Sequence, residues 1–138
     1  SKGKALPGVH ETIKLIASKG IPMAIASGSH HRVIKTVVDQ LGLKEKVNVI
    51  CSAEDEEHGK PHPAVFLSAA KKLQARPTHC VVFEDSFNGV VAGRAARMKV
   101  IAVPEDIHFG EAHFQAAHLI YRSLSDLDWQ EVEDLFSK

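Results

Sequence analysis

The chain has 138 residues, of which 44% are hydrophobic and 25% are charged, and its 17 basic side chains match its 17 acidic ones in number. This is the size of one domain with a real core, and the neutral balance argues against a surface for nucleic acid or an anionic membrane. No apolar run reaches the length of a membrane span, and no secretory signal opens the chain. Cys51 and Cys80 lie in apolar segments and do not make a disulfide framework, so we expect a cytoplasmic protein.

Helical and apolar strand-like segments alternate along the chain. Apolar spacing and turn residues predict helices at 8–19, 30–41, 63–73 and 86–96, and a frayed helical tail at 124–136. Short apolar runs predict strands at 21–26, 47–51, 80–84 and 99–103, and a short edge strand at 118–121. This alternation predicts an α/β fold: a Rossmann-like, doubly wound parallel sheet flanked by helices on both faces.

Two adjacent carboxylates, Glu84 and Asp85, stand where the strand at 80–84 ends. Adjacent acids are costly to desolvate unless a cation or a set of donors receives them, and ligands of open α/β sheets bind at this edge. One interpretation is therefore a Mg²⁺ site. The other is an ordinary strand-to-helix turn with Asp85 or Ser86 as the helix N-cap.

Two further loops follow the strands at 21–26 and 47–51. Ser27-Gly28-Ser29 offers a hydroxyl and backbone amides at the start of the predicted helix 30–41, which is a favourable place for an anion. Lys60, in Gly59-Lys60-Pro61, offers a positive charge on a backbone that the following proline holds extended. Taken singly, Ser27 is equally an ordinary helix cap and Lys60 an ordinary surface lysine.

Parallel strands end at one edge of their sheet, so Ser27, Lys60 and Asp85 are predicted to converge. A hydroxyl, an ammonium and an acid pair that can hold Mg²⁺ are complementary to one phosphoryl group. The sequence therefore predicts a phosphoryl-binding site, in which positioning and charge neutralisation contribute most of the catalysis.

In order and spacing, these segments resemble the second, third and fourth motifs of the haloacid dehalogenase superfamily, in its β-phosphoglucomutase-like and sugar-phosphate phosphatase branch. The segments that carry the resemblance are 24–29, 59–63 and 82–89, with flanking likeness at 6–9 and 98–104. The likeness covers nearly the whole chain. It departs at Arg97, where relatives often have a glycine that ends the helix in a left-handed conformation.

The resemblance implies a role for each site residue. Ser27 and Lys60 would be the catalytic residues of this chain and would bind the transferring phosphoryl group with help from the Gly28 amide. Asp85 would ligate Mg²⁺, with Glu84 as a second ligand or an outer-shell partner. Ser29, His30 and His31 fall where family members place substrate-side residues, which is a weaker correspondence.

The nucleophile of the family is missing from this chain. Family members begin with a central strand that ends in D-x-D, whose first aspartate becomes the aspartyl-phosphate, and a cap usually follows. The D-x-D of this chain, Asp126-Leu127-Asp128, lies in the polar tail and follows no buried strand. Residues 1–138 are therefore expected to be the C-terminal portion of a core domain, with its central strand supplied by a missing N-terminal segment or by another chain.

The expected activity of the complete protein is Mg²⁺-dependent phosphoryl transfer, in particular hydrolysis of a small sugar phosphate through an aspartyl-phosphate. The 138-residue chain alone is expected to be inactive. Two alternatives stay open: a catalytically inactive module that binds phosphate or Mg²⁺, and a mutase of the β-phosphoglucomutase type. The sequence does not identify the phosphate ester or the oligomeric state.

Overall fold

The computed structural model describes residues 8–27, 46–104 and 110–137, and helices alternate with strands within these ranges. The helices are α1 (Val9–Ser18), α2 (Ala64–Lys72), α3 (Phe87–Ala95) and α4 (Trp129–Asp134). The strands are β1 (Ala24–Ser27), β2 (Val49–Ser52), β3 (Val81–Glu84), β4 (Lys99–Ala102) and β5 (Leu119–Ile120). Every strand pair in these ranges is parallel. Parallel sheets flanked by helices confirm the predicted fold class, while the helix predicted at 30–41 lies outside the described residues.

The strands form two sheets rather than one. β1 pairs with β2, and β3, β4 and β5 pair in that order. Ser27 and Ser52 are partners at the end of the first sheet, and Glu84 and Ala102 are partners at the end of β3 and β4. Within the described ranges no ladder joins β1 to β3, so each of these strands is hydrogen-bonded to a strand on one side only.

Helix α2 packs on the sheet formed by β1 and β2. Its buried residues are spaced one helical turn apart, as a single inward face requires: Val65, Phe66, Ala69 and Ala70. They share one hydrophobic cluster with Cys51 of β2 and with Val82 of β3. The two sheets are therefore joined through a common core even though no strand ladder connects them.

Helix α3 lies unusually close to β4. A Cβ at Gly93 would stand 2.7 Å from the Val100 side chain, closer than real Cβ atoms approach other atoms, so only glycine fits there. The strand beneath this helix is fully buried at Val100, Ile101 and Ala102. The sheet of β3, β4 and β5 therefore contains the best-packed part of the molecule.

Several element boundaries differ from those predicted, for local reasons. β1 begins at Ala24 rather than at residue 21, because Pro22 has no N–H and the Met23 amide bonds to the side chain of Asn48 instead. The predicted tail is divided into a short 3₁₀ turn and helix α4, because Asp128 caps α4 by accepting a hydrogen bond from the Gln130 amide.

Helix α3 ends as a glycine-capped helix would, although the residue is arginine. Arg97 has φ 66°, and the Met98 amide donates to the Gly93 carbonyl 3.1 Å away. These features satisfy the last carbonyls of the helix in a Schellman-type arrangement. Arg97 therefore adopts the left-handed conformation, at a cost of about 1 kcal/mol relative to glycine.

Both cysteines are free thiols, as predicted: Cys51 is buried in β2, and Cys80 is half-buried just before β3. In the described part of the chain no helix has the length and apolar character that crossing a membrane requires.

Candidate active site

The ends of two strands meet at the side chain of Lys60. Its Nζ donates a hydrogen bond to the Ala26 carbonyl at 3.1 Å, and it forms an ion pair with Oε2 of Glu84 at 2.9 Å. Ala26 directly precedes Ser27 at the end of β1, and Glu84 directly precedes Asp85 at the end of β3. The structure therefore brings Lys60 to the ends of both strands, as the sequence predicts.

The Lys60 ammonium is held firmly in this position. Only 14% of its side chain and 10% of that of Glu84 are exposed, so the pair is largely shielded from water. The ammonium also lies 4.7 Å from the centre of the buried Phe66 ring, a distance typical of a cation–π contact. An ammonium has three N–H donors, and the Ala26 carbonyl and Glu84 receive two of them.

Glu84 uses both of its carboxylate oxygens within the protein. Oε2 accepts a hydrogen bond from the Lys60 ammonium. Oε1 accepts hydrogen bonds from the Ser86 hydroxyl at 3.1 Å and from the backbone amides of Asp85 and Ser86 at 3.2 and 3.4 Å. A nearly buried carboxylate requires such donors to offset its desolvation. In this structure Glu84 is therefore the partner of Lys60 and of the β3–α3 turn.

Asp85 differs sharply from its neighbour because it is exposed at the carboxyl end of β3. Partial desolvation of its carboxyl raises its pKa, and the adjacent Glu84 raises it further through a hydrogen bond and its charge, against an opposing effect of Lys60. Of the two acids, Asp85 is the exposed one, while Glu84 pairs with Lys60.

The turn between β3 and α3 also contains the helix cap that the sequence left open. Ser86 has an extended backbone, and its hydroxyl accepts the Gly89 amide at 3.0 Å, so Ser86 rather than Asp85 is the N-cap. The capping and acid-pair interpretations were not exclusive, because Ser86 caps the helix and supports Glu84 at the same time.

The donor set fits Mg²⁺ only in part. Magnesium commonly takes one or two protein carboxylates and completes its shell with water and substrate phosphate, and Asp85 meets that description. No group of three or more His, Cys, Asp or Glu side chains that could enclose a metal occurs among the described residues. Asp85 could therefore hold Mg²⁺ only together with ligands from water, substrate or residues outside the described ranges.

The remaining predicted site residues divide into two groups. Ser27 is half-buried at the end of β1, next to the carbonyl that receives Lys60. Gly28, Ser29, His30 and His31 lie outside the described residues.

A shallow depression of about 530 Å³ borders the Lys60 loop, lined by His58, Gly59, Pro61, His62 and Val91. The His58 and His62 rings lie 5.1 Å apart, and Nδ1 of His62 accepts the Ala64 amide at 3.1 Å. That bond occupies one ring nitrogen and leaves the other protonated in the neutral ring. The pair is therefore poorly suited to share a metal.

Three supporting groups were not identified from the sequence: the Ala26 carbonyl, the Phe66 ring and the partnership of Lys60 with Glu84. A signal for the last was present, because an acid at the end of a buried strand requires a partner, and lysine in a neighbouring loop is the natural one.

The chain resembles known proteins over most of its length. A sequence model of the haloacid dehalogenase-like hydrolases matches residues 1–97. Hexitol phosphatase B of Escherichia coli O157:H7 is 37% identical over 127 residues, which cover 92% of this chain and 57% of that protein. The bifunctional riboflavin kinase/FMN phosphatase of Arabidopsis thaliana is 44% identical over 104 residues, covering 75% of this chain and 27% of that protein.

A solved structure agrees with these likenesses. The β-phosphoglucomutase of Clostridium difficile superimposes with a TM-score of 0.84 at 26% identity, over 99% of this chain and 58% of that one. This chain thus spans little more than half of hexitol phosphatase B and of the mutase. The family match and the 37% identical relative confirm the superfamily and branch predicted from the three motifs. The chain belongs to the haloacid dehalogenase-like hydrolases.

Proposed function

We propose that the protein containing this chain is a Mg²⁺-dependent phosphatase that hydrolyses a small sugar or polyol phosphate. The observation that carries the proposal is the fixed Lys60 ammonium, held between the Ala26 carbonyl at the end of β1 and the Glu84 carboxylate, with the exposed Asp85 directly after Glu84 in the chain. A preorganised cation beside a carboxylate is what a phosphoryl group in transfer requires, because its equatorial oxygens carry the charge. The names of hexitol phosphatase B and the FMN phosphatase support this reaction class.

Each residue has a distinct proposed role. The third N–H of Lys60 donates to a phosphoryl oxygen, and the Ser27 hydroxyl, with the Gly28 amide, orients the same group from the end of β1. Asp85 holds Mg²⁺, which when bound would neutralise phosphoryl charge. Glu84 acts behind them as the partner of Lys60, a role its four hydrogen-bond contacts support better than direct metal ligation.

The nucleophile is proposed to lie on a strand that enters between the two sheets. Just before β1, the Met23 carbonyl accepts a hydrogen bond from the amide of Asn48, the residue just before β2. By the alternation of a parallel ladder, Ala24 and Ala26 therefore direct their backbone groups to the opposite edge of β1, where the Ala26 carbonyl accepts a hydrogen bond from Lys60. Within the described residues no other strand pairs with this edge, and a further parallel strand is proposed to add there.

The facing strand has the same property. The Cys80 and Glu84 carbonyls receive amides from β4 or its continuation, so Val81 and Phe83 direct their backbone groups away from β4. A missing N-terminal segment, or a segment of another chain, would complete the core as a strand between β1 and β3. An aspartate at its carboxyl end would attack phosphorus and form an aspartyl-phosphate as the P–O bond to the alcohol breaks, and the departing alkoxide would take up a proton to leave as the alcohol. Water would then attack phosphorus, which releases inorganic phosphate and regenerates the aspartate.

The test uses the full-length protein that contains this chain, with phosphate release from a panel of sugar and polyol phosphates. Removing the ammonium in Lys60→Ala or the carboxylate in Asp85→Ala should lower kcat/KM by at least 100-fold, about 2.7 kcal/mol of transition-state stabilisation. Lys71→Ala and Glu133→Gln alter exposed residues of the same types and serve as matched controls. Turnover near the wild-type rate in both site variants would exclude the proposal.

Two alternatives are separated by further measurements. A mutase would convert a sugar 1-phosphate to its 6-phosphate without net phosphate release, an outcome that the β-phosphoglucomutase structure keeps open. A binding module is favoured by the position of Asp126 and Asp128, which lie in a 3₁₀ turn and at a helix cap rather than at a strand end. Calorimetry of the 138-residue chain with a phosphate ester, with and without Mg²⁺, would show binding without turnover in that case.

A further inference from the structure

Gly89 occupies a position where no other residue would leave Glu84 in place. It is buried in the first turn of α3, and its amide bonds to the Ser86 cap. A Cβ built on Gly89 would overlap Cγ, Cδ and Oε2 of Glu84. The volume that a side chain at position 89 would fill is therefore occupied by the Glu84 carboxylate.

The need for glycine here does not come from the backbone. Gly89 lies within a regular helix, whereas the glycines with positive φ among the described residues are Gly8, Gly20 and Gly110. In a helix, glycine is less favourable than alanine. Glycine is therefore needed at this position because the absence of a side chain leaves space beside the helix for Glu84.

We infer that Gly89 is a positioning residue that fixes the Lys60 ammonium by making room for Glu84. With this space open, the carboxylate lies against the start of α3, where Oε1 reaches the amides of Asp85 and Ser86 while Oε2 reaches Lys60. Displacing the carboxylate removes the partner of the ammonium. The role of Gly89 in catalysis rests on the function proposed above, whereas its effect on the Glu84 pose does not.

The atoms that would overlap belong to the outer part of a flexible side chain, not to the backbone. Gly89→Ala is therefore expected to rotate the Glu84 side chain while α3 stays in place. An effect transmitted only through Glu84 should vanish when Glu84 has no carboxylate, which a double-mutant cycle detects.

The experiment compares four full-length proteins: wild type, Gly89→Ala, Glu84→Ala and the double variant. Phosphate release from a sugar phosphate gives kcat/KM, and ¹H–¹⁵N spectra give the amide resonances of Asp85 and Ser86, which donate to Glu84. Gly89→Ala should lower kcat/KM at least tenfold when Glu84 is present and less than twofold when it is alanine. The two amide resonances should move in Gly89→Ala toward their positions in Glu84→Ala.

Equal losses in both backgrounds, or wild-type activity with unmoved amide resonances, would overturn the inference. If wild type lacks phosphoryl turnover, the proposed function fails, and the amide resonances still test Gly89 by themselves. If Gly89→Ala does not fold, the double variant decides: it should fold because the overlapping side chain is gone, and a double variant that is also unfolded overturns the inference.

Discussion

Strands β4 and β1 of this molecule differ in how completely they are enclosed. In β4, the residues Val100, Ile101 and Ala102 are inaccessible to solvent beneath a helix that glycine brings close. In β1, by contrast, all four residues are only half-buried. Strand β4 is therefore the better-covered of the two, and the sheets that contain them are joined through Lys60 and the shared core of α2.

The largest expected effect is a difference in unfolding free energy between matched substitutions in β4 and β1. Ile101→Ala in the 138-residue chain should cost about 3–4 kcal/mol, because a fully buried side chain leaves a cavity that close-packed neighbours cannot fill. Ile25→Ala in β1 removes the same atoms from a half-buried position and should cost about 1–2 kcal/mol. Urea unfolding measures both, and equal losses would contradict the comparison.

The second-largest effect concerns the ion pair between Lys60 and Glu84, which helps to join the two sheets. Lys60→Met leaves the Glu84 carboxylate buried without its cation, and we expect a loss of about 2–3 kcal/mol, near the lower end for a broken buried pair because three donors to Oε1 remain. The double variant Lys60→Met/Glu84→Gln leaves no unpaired charge and should recover part of that loss. A double variant as unstable as the sum of the single ones would contradict this account.

The smallest effect is the pH dependence of the stability that His118 contributes, next to the larger sheet. Nδ1 of His118 accepts the Val100 amide at 3.0 Å, which requires that nitrogen to be unprotonated. Burial lowers the pKa of His118 from its ordinary value, and the nearby charges of Arg94 and Lys99 lower it further. When the pKa of a histidine is lower in the folded than in the unfolded protein, its contribution to stability is present at pH values above the unfolded pKa of about 6.5. That contribution is lost as the pH falls through the folded pKa.

Unfolding of wild type and His118→Ala at pH 7.5 and pH 5 tests this dependence. The stability advantage of wild type should shrink at pH 5, by a fraction of the roughly 1.4 kcal/mol that one pKa unit represents, because the side chain is only partly buried. An advantage that is unchanged or larger at pH 5 would contradict the assignment.

The sequence alone predicted the alternation of helices and strands, and it predicted that Lys60 would lie near the ends of two distant strands. Apolar runs of the right length and helix-period spacing predicted each described strand and helix to within a few residues, because these patterns follow from burial itself. The convergence of Lys60 on the ends of β1 and β3 followed from topology alone, since parallel strands end on one edge.

The contacts inside the site could not be predicted in the same way. Glu84 and Asp85 are adjacent acids with the same chemistry in the sequence, and only the structure shows that Glu84 turns inward, to Lys60, to Ser86 and to the space beside Gly89. The division into two sheets was expected only from the family resemblance, which places a further strand between β1 and β3, and not from any local pattern.

The burial of Lys60 has a practical consequence for chemical labelling. Since 14% of its side chain is exposed, we expect a reagent that acylates amines to modify this side chain mainly when the end of β1 and the Glu84 turn move apart. The rate at which Lys60 is acylated would therefore report the frequency with which the two sheets separate. Once acylated, Lys60 could no longer pair with Glu84, so each opening event would be recorded permanently.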